Sequence, residues 1–512
     1  MPPPMGTRAR RAEDTADARL ARRLPRHDRV PARLPRNRAR LRASRVSSTE
    51  GYVAGDRSLN FLVLYFIMGA SVFSAFAFLG GPGWAYSRGA AAFYILAYAS
   101  VGLVPWYFFG PRVAALGRRF GYVTQAELFA HRFNSRSIPA ILAVLSIFAF
   151  IPYLVIQMKG AGYVFNVVTE GRVPEWAGSA IAYGVVLIYV FRSGVLGVGW
   201  TNTFQGMFMM VLAWGLGLYL PWKLHGGVGP MFDAIAAGLP DMLRGPGLGA
   251  DGQPWSWGAY SSSVAISAFG FSVWPHYFMK IYTARDIGTL KRTVVYYPTF
   301  ALFLVPILFI GFAGVLAFPG VQPADAILPT IVTSAQIGLP PFIVGLFCAG
   351  ALAASMSTGD ALLHAAGSVA VRDFWGNLRP GALDDAAQRS WIRKMVIAVG
   401  AVAYGLALIP GLSLVELLLL SYGFIAQLFP LTVVTFLWRG VTRAGALWGL
   451  VTGGAIAFLL DLGLRLDLVS AAATAGVHPG IYGMVGNVIA MVAVSRYTTR
   501  LDSTHLAEFV DR

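Results

Sequence analysis

The stretch MGASVFSAF at residues 68–76, followed by LGGPG at residues 79–83, interrupts an apolar run that begins at Leu59. Glycine, serine and alanine in the middle of a membrane helix let the backbone leave helical geometry. Carbonyl groups freed in this way are tolerated only where they line a cavity, and there they can bind a cation. The same small residues also suit close packing between helices. The stretch therefore predicts either a broken helix at a central site or a tight helix–helix contact.

A second apolar run, at residues 259–281, has the same character. Five serines and Gly270 precede the tripeptide Trp-Pro-His at 274–276. Proline lacks a backbone donor and breaks a helix near its own position. Two interrupted helices five spans apart are the pattern expected of an inverted repeat with a central binding site.

The composition places these runs in a membrane. Of the 512 residues, 56% are apolar and 13% are charged, against roughly 25% charged in soluble chains. The mean hydropathy is +0.60. These values exclude a soluble globular enzyme, a disordered protein and a collagen-like fibre, and they predict an all-α polytopic membrane protein. About twelve spans of roughly 20 residues are predicted near 59–80, 89–110, 138–160, 177–195, 203–222, 259–281, 293–318, 341–370, 393–410, 412–437, 444–463 and 479–497.

The basic residues are concentrated on one predicted side of the membrane. With these spans, 20 lysines and arginines fall in predicted cytoplasmic segments, Arg132 and Lys280 among them, and 5 fall in outer loops. Positive charge favours the cytoplasmic side, so both termini are predicted there and the net charge of +17 does not indicate nucleic-acid binding. Residues 113–137 are predicted to form a cytoplasmic loop with an amphipathic piece at 124–132, and residues 223–258 a long external loop.

Three regions are predicted along the chain. Residues 1–56 carry a net charge of +8 and no apolar core of a secretion signal, so they are expected to be disordered or to reflect a wrongly assigned start. Residues 57–440 are the expected ten-helix core, and residues 441–512 add two helices and a short tail. The single cysteine, Cys348, is interpreted as a packing residue.

The eighth span supplies hydroxyl groups at membrane depth. Ser357 and Thr358 are hard oxygen ligands for a small cation, although such hydroxyls often bond to their own helix. Ser355 falls on another helix face and is expected to tolerate alanine. Asp360 and His364, one turn apart, are functional candidates because ionisable groups are costly in a membrane. The chain has no metalloprotease, serine-hydrolase, nucleotide-binding or paired-cysteine motif, so no enzyme is predicted.

Several segments together resemble the sodium/solute symporter family, which includes proline, pantothenate, monocarboxylate and sugar symporters. The resemblance runs from Glu50 to about Arg500. It is carried by GYVAG at 51–55, LGGPG at 79–83, residues 194–205 ending in WTNTFQ, residues 274–286 from Trp-Pro-His onward, and residues 351–373 around Met-Ser-Thr.

The resemblance implies the leucine-transporter fold, with two inverted five-helix repeats, and sodium as coupling ion without any other cofactor. It also implies the sodium ligands. These are the carbonyl groups of Ala70, Phe73 and Ala354 and the hydroxyl groups of Ser357 and Thr358.

Three departures from the family pattern bear on coupling. Val72 stands where several relatives have aspartate, Asn202 stands where many have it, and an Arg-rich stretch stands in place of a first helix. A proton-coupled or uncoupled transporter is therefore an alternative to a sodium-coupled one.

The expected solute is a small organic molecule. Trp-Pro-His at 274–276, together with Pro152-Tyr153 and Gln157, resembles the monocarboxylate members, so a monocarboxylate or related organic acid is predicted, with proline or pantothenate as alternatives. Ser74, Phe76, Gln157 and Trp274 are the predicted solute contacts. The expected partners are this solute and the lipid bilayer of a bacterial inner membrane, with no nucleic acid and with an oligomeric state that the sequence leaves open.

Overall fold

The computed structural model describes residues 57–72, 74–379, 381–410 and 413–510. The Arg-rich residues 1–46 and Phe73 lie outside the described residues. The α-helices are α1 (Phe61–Val72), α2 (Gly81–Arg88), α3 (Tyr94–Val101), α4 (Val104–Phe120), α5 (Gln125–Phe133), α6 (Ser137–Val168), α7 (Glu175–His225), α8 (Val228–Gly238), α9 (Trp257–Phe271), α10 (Pro275–Thr283), α11 (Ile287–Ala301), α12 (Leu304–Ala317), α13 (Ile327–Thr333), α14 (Pro341–Ser368), α15 (Gly376–Leu378), α16 (Asp385–Ala407), α17 (Leu414–Ile425), α18 (Leu428–Leu437), α19 (Arg443–Arg465), α20 (Pro479–Tyr497) and α21 (Ser503–Val510).

The all-α class is confirmed. Within the described ranges, eight helical stretches are long and apolar enough to cross a membrane, and three shorter apolar helices accompany them. The count of twelve spans stays a prediction. The predicted spans 177–195 and 203–222 are a single helix, α7, of 51 residues. The side chains of 191–202, Asn202 among them, lie outside the described residues.

Both predicted interruptions are present. Helix α1 ends at Val72, and the chain resumes helical geometry in a wide π-helical turn, Phe76–Gly80, before α2. Helix α9 ends at Phe271, and α10 begins with Pro275. The carbonyl group freed at Ser272 accepts a hydrogen bond of 2.7 Å from the Trp106 indole. Each break thus occurs where small residues or proline weaken the helix, and a neighbouring helix satisfies the exposed backbone.

Two basic residues assigned to cytoplasmic loops are buried instead. Arg132 lies in α5 with no exposed surface, and its Nε donates to the Thr435 carbonyl at 3.2 Å. Lys280 lies in α10 and is 6% exposed. Their long side chains bring the charged groups to polar partners in neighbouring helices. Lys280 was therefore wrongly assigned to a loop, whereas Arg132 lies in the amphipathic piece predicted at 124–132.

The amphipathic piece predicted at 124–132 is helix α5. It begins with a capping box in which the Thr124 hydroxyl accepts from the backbone of Glu127 and the Glu127 carboxylate accepts from the backbone of Thr124. Helix α21 packs on α5, since His505 Nε2 lies 3.0 Å from the His131 carbonyl oxygen. The 113–137 segment and the last described helix are therefore in contact. Residues 223–258 are not a loop throughout, because they contain α8.

Candidate functional site

The first break in the helices lies beside the hydroxyl of Ser357. Ser357 Oγ is 3.0 Å from the carbonyl oxygen of Ala70 in α1 and 3.1 Å from that of Ala354 in α14. All three residues are fully buried. The hydroxyl has one proton and so can donate to only one of these carbonyls at a time. Three of the five predicted sodium donors are thus together, the buried Thr358 follows Ser357 in α14, and Phe73 lies outside the described residues.

Close packing holds α14 in this position. A Cβ atom at Gly359 would lie 2.3 Å from the hydroxyl oxygen of Tyr183 in α7, so only glycine allows this approach. The Ser355 hydroxyl donates to the Gln157 carbonyl at 2.6 Å, and the Tyr183 hydroxyl donates to the Ser355 carbonyl at 3.2 Å. Ser355 therefore ties three helices together. The expectation that Ser355 tolerates alanine stays a prediction for sodium binding, and sequence periodicity does not reveal this structural contact.

Gln157 in α6 supports the broken end of α1. Its Oε1 accepts a 2.8 Å hydrogen bond from the backbone N–H of Ala75, and its Nε2 donates to the Tyr153 carbonyl at 3.2 Å. Gly160, one turn further, makes the approach possible because a Cβ there would lie 2.5 Å from that of Ala75. The amide thus compensates for a backbone group that the break leaves outside a helix. A direct contact between Gln157 and the solute stays a prediction. It would require the Gln157 amide to replace one of these two hydrogen bonds by one to the solute.

The second break is enclosed by aromatic side chains around Trp274. The Trp274 ring is stacked on Phe150 with a centroid distance of 5.9 Å, and it lies 5.3 Å from Tyr153 and 5.8 Å from Tyr422. Tyr153 is one turn from Gln157 on α6. One turn of α6 therefore touches both breaks, at Ala75 through Gln157 and at Trp274 through Tyr153.

Buried polar atoms lie within this aromatic cluster. The Trp274 Nε1 and both ring nitrogens of His276 have no hydrogen-bond partner among the described residues. The rings of Trp274 and His276 are 5.3 Å apart, and both residues are buried. A buried polar group without a partner costs about 1–3 kcal/mol. The Trp274 N–H and the N–H of a neutral His276 ring could therefore donate to an acceptor on a solute. His276 belongs to the quoted tripeptide, although only Trp274 was predicted as a contact.

The other two predicted solute contacts are also in the interior. Ser74 and Phe76 follow the first break and are buried. They lie on the segment that Gln157 holds through Ala75.

Lys280 is a further charged residue at the core that sequence reasoning placed elsewhere. Its Nζ lies 3.4 Å from the carbonyl oxygen of Ile67, one turn before Ala70 in α1. The carboxylate of the fully buried Asp360 attracts it electrostatically. Lys280 therefore connects α10, which follows the second break, with α1, which precedes the first. The ionisable character of Asp360 was the only sequence signal for this pair.

The sequence profile of the sodium:solute symporter family matches residues 52–453. The chain belongs to the sodium:solute symporter family. An uncharacterized symporter of Bacillus subtilis (strain 168) is 29% identical over 460 residues, which cover 89% of this chain and 92% of that protein. The sodium/pantothenate symporter of Escherichia coli (strain K12) is 25% identical over 468 residues, with 88% of this chain and 90% of that protein covered.

The fold of this family member is that of known transporters. A Na⁺-coupled sialic acid symporter, solved in a substrate-bound outward-open state, superposes with a TM-score of 0.72 at 18% identity, covering 90% of this chain and 95% of that one. The leucine-transporter type of fold is therefore confirmed. Family membership makes the protein a membrane-embedded transporter of a small solute and not an enzyme.

Proposed function

We propose that this protein is a sodium-coupled importer of a small organic acid. Sodium would be held by the carbonyl groups of Ala70, Phe73 and Ala354 and by the hydroxyls of Ser357 and Thr358. The observation that carries this proposal is the position of Ser357 Oγ, 3.0 Å from the Ala70 carbonyl and 3.1 Å from that of Ala354. A hard cation prefers oxygen donors of this kind.

The position of these donors gives the ion a structural effect. Ala70 precedes the break in α1, whereas Ala354 and Ser357 belong to α14. An ion shared by the two helices would favour the arrangement in which they are close. Its binding free energy would therefore bias the position of α1, which is the requirement for an ion to drive a conformational change.

The proposed solute site adjoins the same break. Ala75, after the break, is hydrogen-bonded to Gln157, and Tyr153 beside Gln157 packs on Trp274. A solute at Trp274 and an ion at Ala70 would thus act on one segment from its two ends. Each would raise the affinity for the other by the same factor, since coupling between binding sites is reciprocal.

An organic acid suits the polar atoms that are buried here. Its carboxylate would accept hydrogen bonds from Trp274 Nε1 and from a ring N–H of His276, while Ser74, Phe76 and Gln157 would line the remaining surface. A monocarboxylate or related acid is our first choice. Pantothenate, itself an organic acid, and proline are the alternatives, because the family includes symporters with such different solutes.

Proton coupling is the second candidate mechanism. Val72 and Asn202 stand where many relatives have carboxylates, which supports weaker dependence on sodium. Uptake of a radiolabelled panel of acids and amino acids into proteoliposomes separates the two, with either a sodium or a proton gradient imposed. We expect accumulation of an acid only with the sodium gradient. Accumulation that follows the proton gradient alone would contradict sodium coupling.

We further propose that the protein resides in a bacterial inner membrane with both termini in the cytoplasm. The excess of basic residues in the predicted cytoplasmic segments supports this orientation. The contact between α21 and α5 agrees with it, because both belong to those segments.

A further inference from the structure

Two histidines and a glutamate meet where the last helix of the described chain packs on α5. His131 belongs to α5, and His505 and Glu508 belong to α21. Each of the three offers one ligand atom, and these atoms lie within 4.8 Å of one another. The cluster is on the proposed cytoplasmic side, away from both helix breaks, and transport as proposed above does not use it.

We propose that His131, His505 and Glu508 bind a transition-metal ion of the zinc class, which fastens α21 to α5. Two imidazole nitrogens and one carboxylate oxygen are a ligand set that zinc accepts, with a fourth position left for water. This site is separate from the sodium site in residues, chemistry and location.

In each histidine of the cluster, a hydrogen bond or contact involves one ring nitrogen, so that the other ring nitrogen can bind an ion. His505 Nε2 lies 3.0 Å from the His131 carbonyl oxygen. When His505 Nε2 carries the proton and donates to this carbonyl, His505 Nδ1 keeps the free electron pair that can bind a metal. The Tyr122 hydroxyl contacts His131 Nδ1, which leaves Nε2 of the same ring to bind an ion. Metal-binding histidines commonly hold their second nitrogen in this manner, which fixes the tautomer and the ring orientation.

The positions of the ligands need only a small adjustment. Ligands at about 2.1 Å in a tetrahedral zinc site are about 3.4 Å apart, so the present separations need to shrink by about 1.4 Å at most. His505 and Glu508 are three residues apart and share one face of α21. Side-chain rotation, chiefly of the partly exposed Glu508, covers much of such a distance.

One neighbouring cation, Arg119, contacts a proposed ligand of the cluster. Arg119 competes for Glu508, with Nη2 3.2 Å from Oε1. Both side chains are partly exposed, and such ion pairs contribute only about 0–1 kcal/mol. The second carboxylate oxygen, Oε2, is available for the ion.

The test uses the full-length protein, purified with a tag that contains no histidine and treated with a chelator. Zn²⁺ is titrated in the presence of sodium, and Co²⁺ serves as a spectroscopic probe because its visible absorption reports nitrogen and oxygen ligation. We expect one tight equivalent of Zn²⁺. His505→Ala and Glu508→Gln should each weaken binding by about tenfold or more. His225→Ala is the matched control, since His225 Nε2 contacts the Ala313 carbonyl far from the cluster in sequence, and it should leave the affinity unchanged.

Two further variants keep the test decisive if alanine disturbs α21. His505→Cys replaces one ligand by another and should restore Zn²⁺ binding with a changed Co²⁺ spectrum. Arg119→Gln removes the competing cation and should bind Zn²⁺ at least as tightly as the parent. Equal Zn²⁺ affinity in the parent, His505→Ala and Glu508→Gln would overturn the proposal, and so would the absence of any tight equivalent. Neither result would bear on sodium-driven uptake, which is measured separately.

Discussion

The hydroxyl oxygen of Ser357 lies 3.0 Å from the carbonyl oxygen of Ala70, and this contact joins the end of a broken helix to the middle of α14. The two residues are 287 positions apart in the chain. Ala70 precedes the point at which α1 stops, so its carbonyl lies where helical hydrogen bonding ends. The same hydroxyl is 3.1 Å from the Ala354 carbonyl. Oxygen atoms of Ala70 in α1 and of Ala354 and Ser357 in α14 therefore lie close together in the buried interior.

Replacing Ser357 or Thr358 by alanine should weaken sodium dependence. Each change removes one of five proposed oxygen ligands, and a loss of about 1.4 kcal/mol corresponds to a tenfold lower affinity. Uptake at low sodium should then fall far more than uptake at saturating sodium, measured in proteoliposomes over a series of sodium concentrations. Ser368→Ala is the matched control, because Ser368 is a buried serine of the same helix whose hydroxyl donates to its own-helix carbonyl at His364. Unchanged sodium dependence in both alanine variants would contradict the proposed site.

Trp274→Phe should raise the solute concentration needed for half-maximal uptake. The change keeps an aromatic ring against Phe150 and Tyr153 but removes the buried indole N–H. A hydrogen bond to a charged group contributes about 1.5–3 kcal/mol, so KM for an acid should rise about tenfold or more. Trp448→Phe, at an exposed tryptophan of α19, controls for the loss of an indole. A KM equal to that of the parent would show that the indole does not contact the solute.

Gln157→Leu should destabilise the protein even without solute. The backbone N–H of Ala75 loses its acceptor, and leaving such a buried group unpaired costs about 1–3 kcal/mol. The unfolding temperature in detergent should fall accordingly, and Gln336→Leu, at an exposed position, should change it little. If the unfolding temperature holds while KM alone rises, Gln157 contacts the solute and does not support the break.

Ser355→Ala should lower stability while leaving the sodium affinity as it is. Its hydroxyl donates to the Gln157 carbonyl at 2.6 Å and is not one of the proposed ion ligands. Thermal unfolding and sodium-dependent uptake, measured on the same preparation, distinguish the two effects. A shift in sodium affinity comparable to that of Ser357→Ala would place Ser355 among the ligands and revise the site.

Reporters fused at two positions should test the orientation of the chain. A reporter after Arg500 should be on the cytoplasmic side, and one within residues 249–253, between α8 and α9, should be external. The expected asymmetry follows from the distribution of basic residues. Activity of an alkaline phosphatase and of a cytoplasmic fluorescent protein at each position is the measurement. Both reporters on one side, or the reverse assignment, would require a different set of spans.

The sequence by itself determined the class of protein and the two places where its helices break. Low charge and long apolar runs require a bilayer, and small residues at 68–76 and Pro275 weaken helices locally. These are properties of short segments, so periodicity and composition reveal them. The choice of Ser357 as an oxygen donor also came from sequence, from its hydroxyl at membrane depth and from the resemblance to a family.

Only the tertiary structure decided which other groups meet. It joined Gln157 to Ala75 by a hydrogen bond, linked Ser355 to a neighbouring helix, and buried Lys280 and Arg132. The resemblance implied that Ala70 and Ser357 share a site, and the structure supplied the distance between them. The structure also brought His131 to His505, 374 positions away. Contacts of this kind depend on how helices distant in sequence pack against one another, and close packing is set by shape at many positions at once. A pattern within one helix carries no information on the partner that the helix will meet.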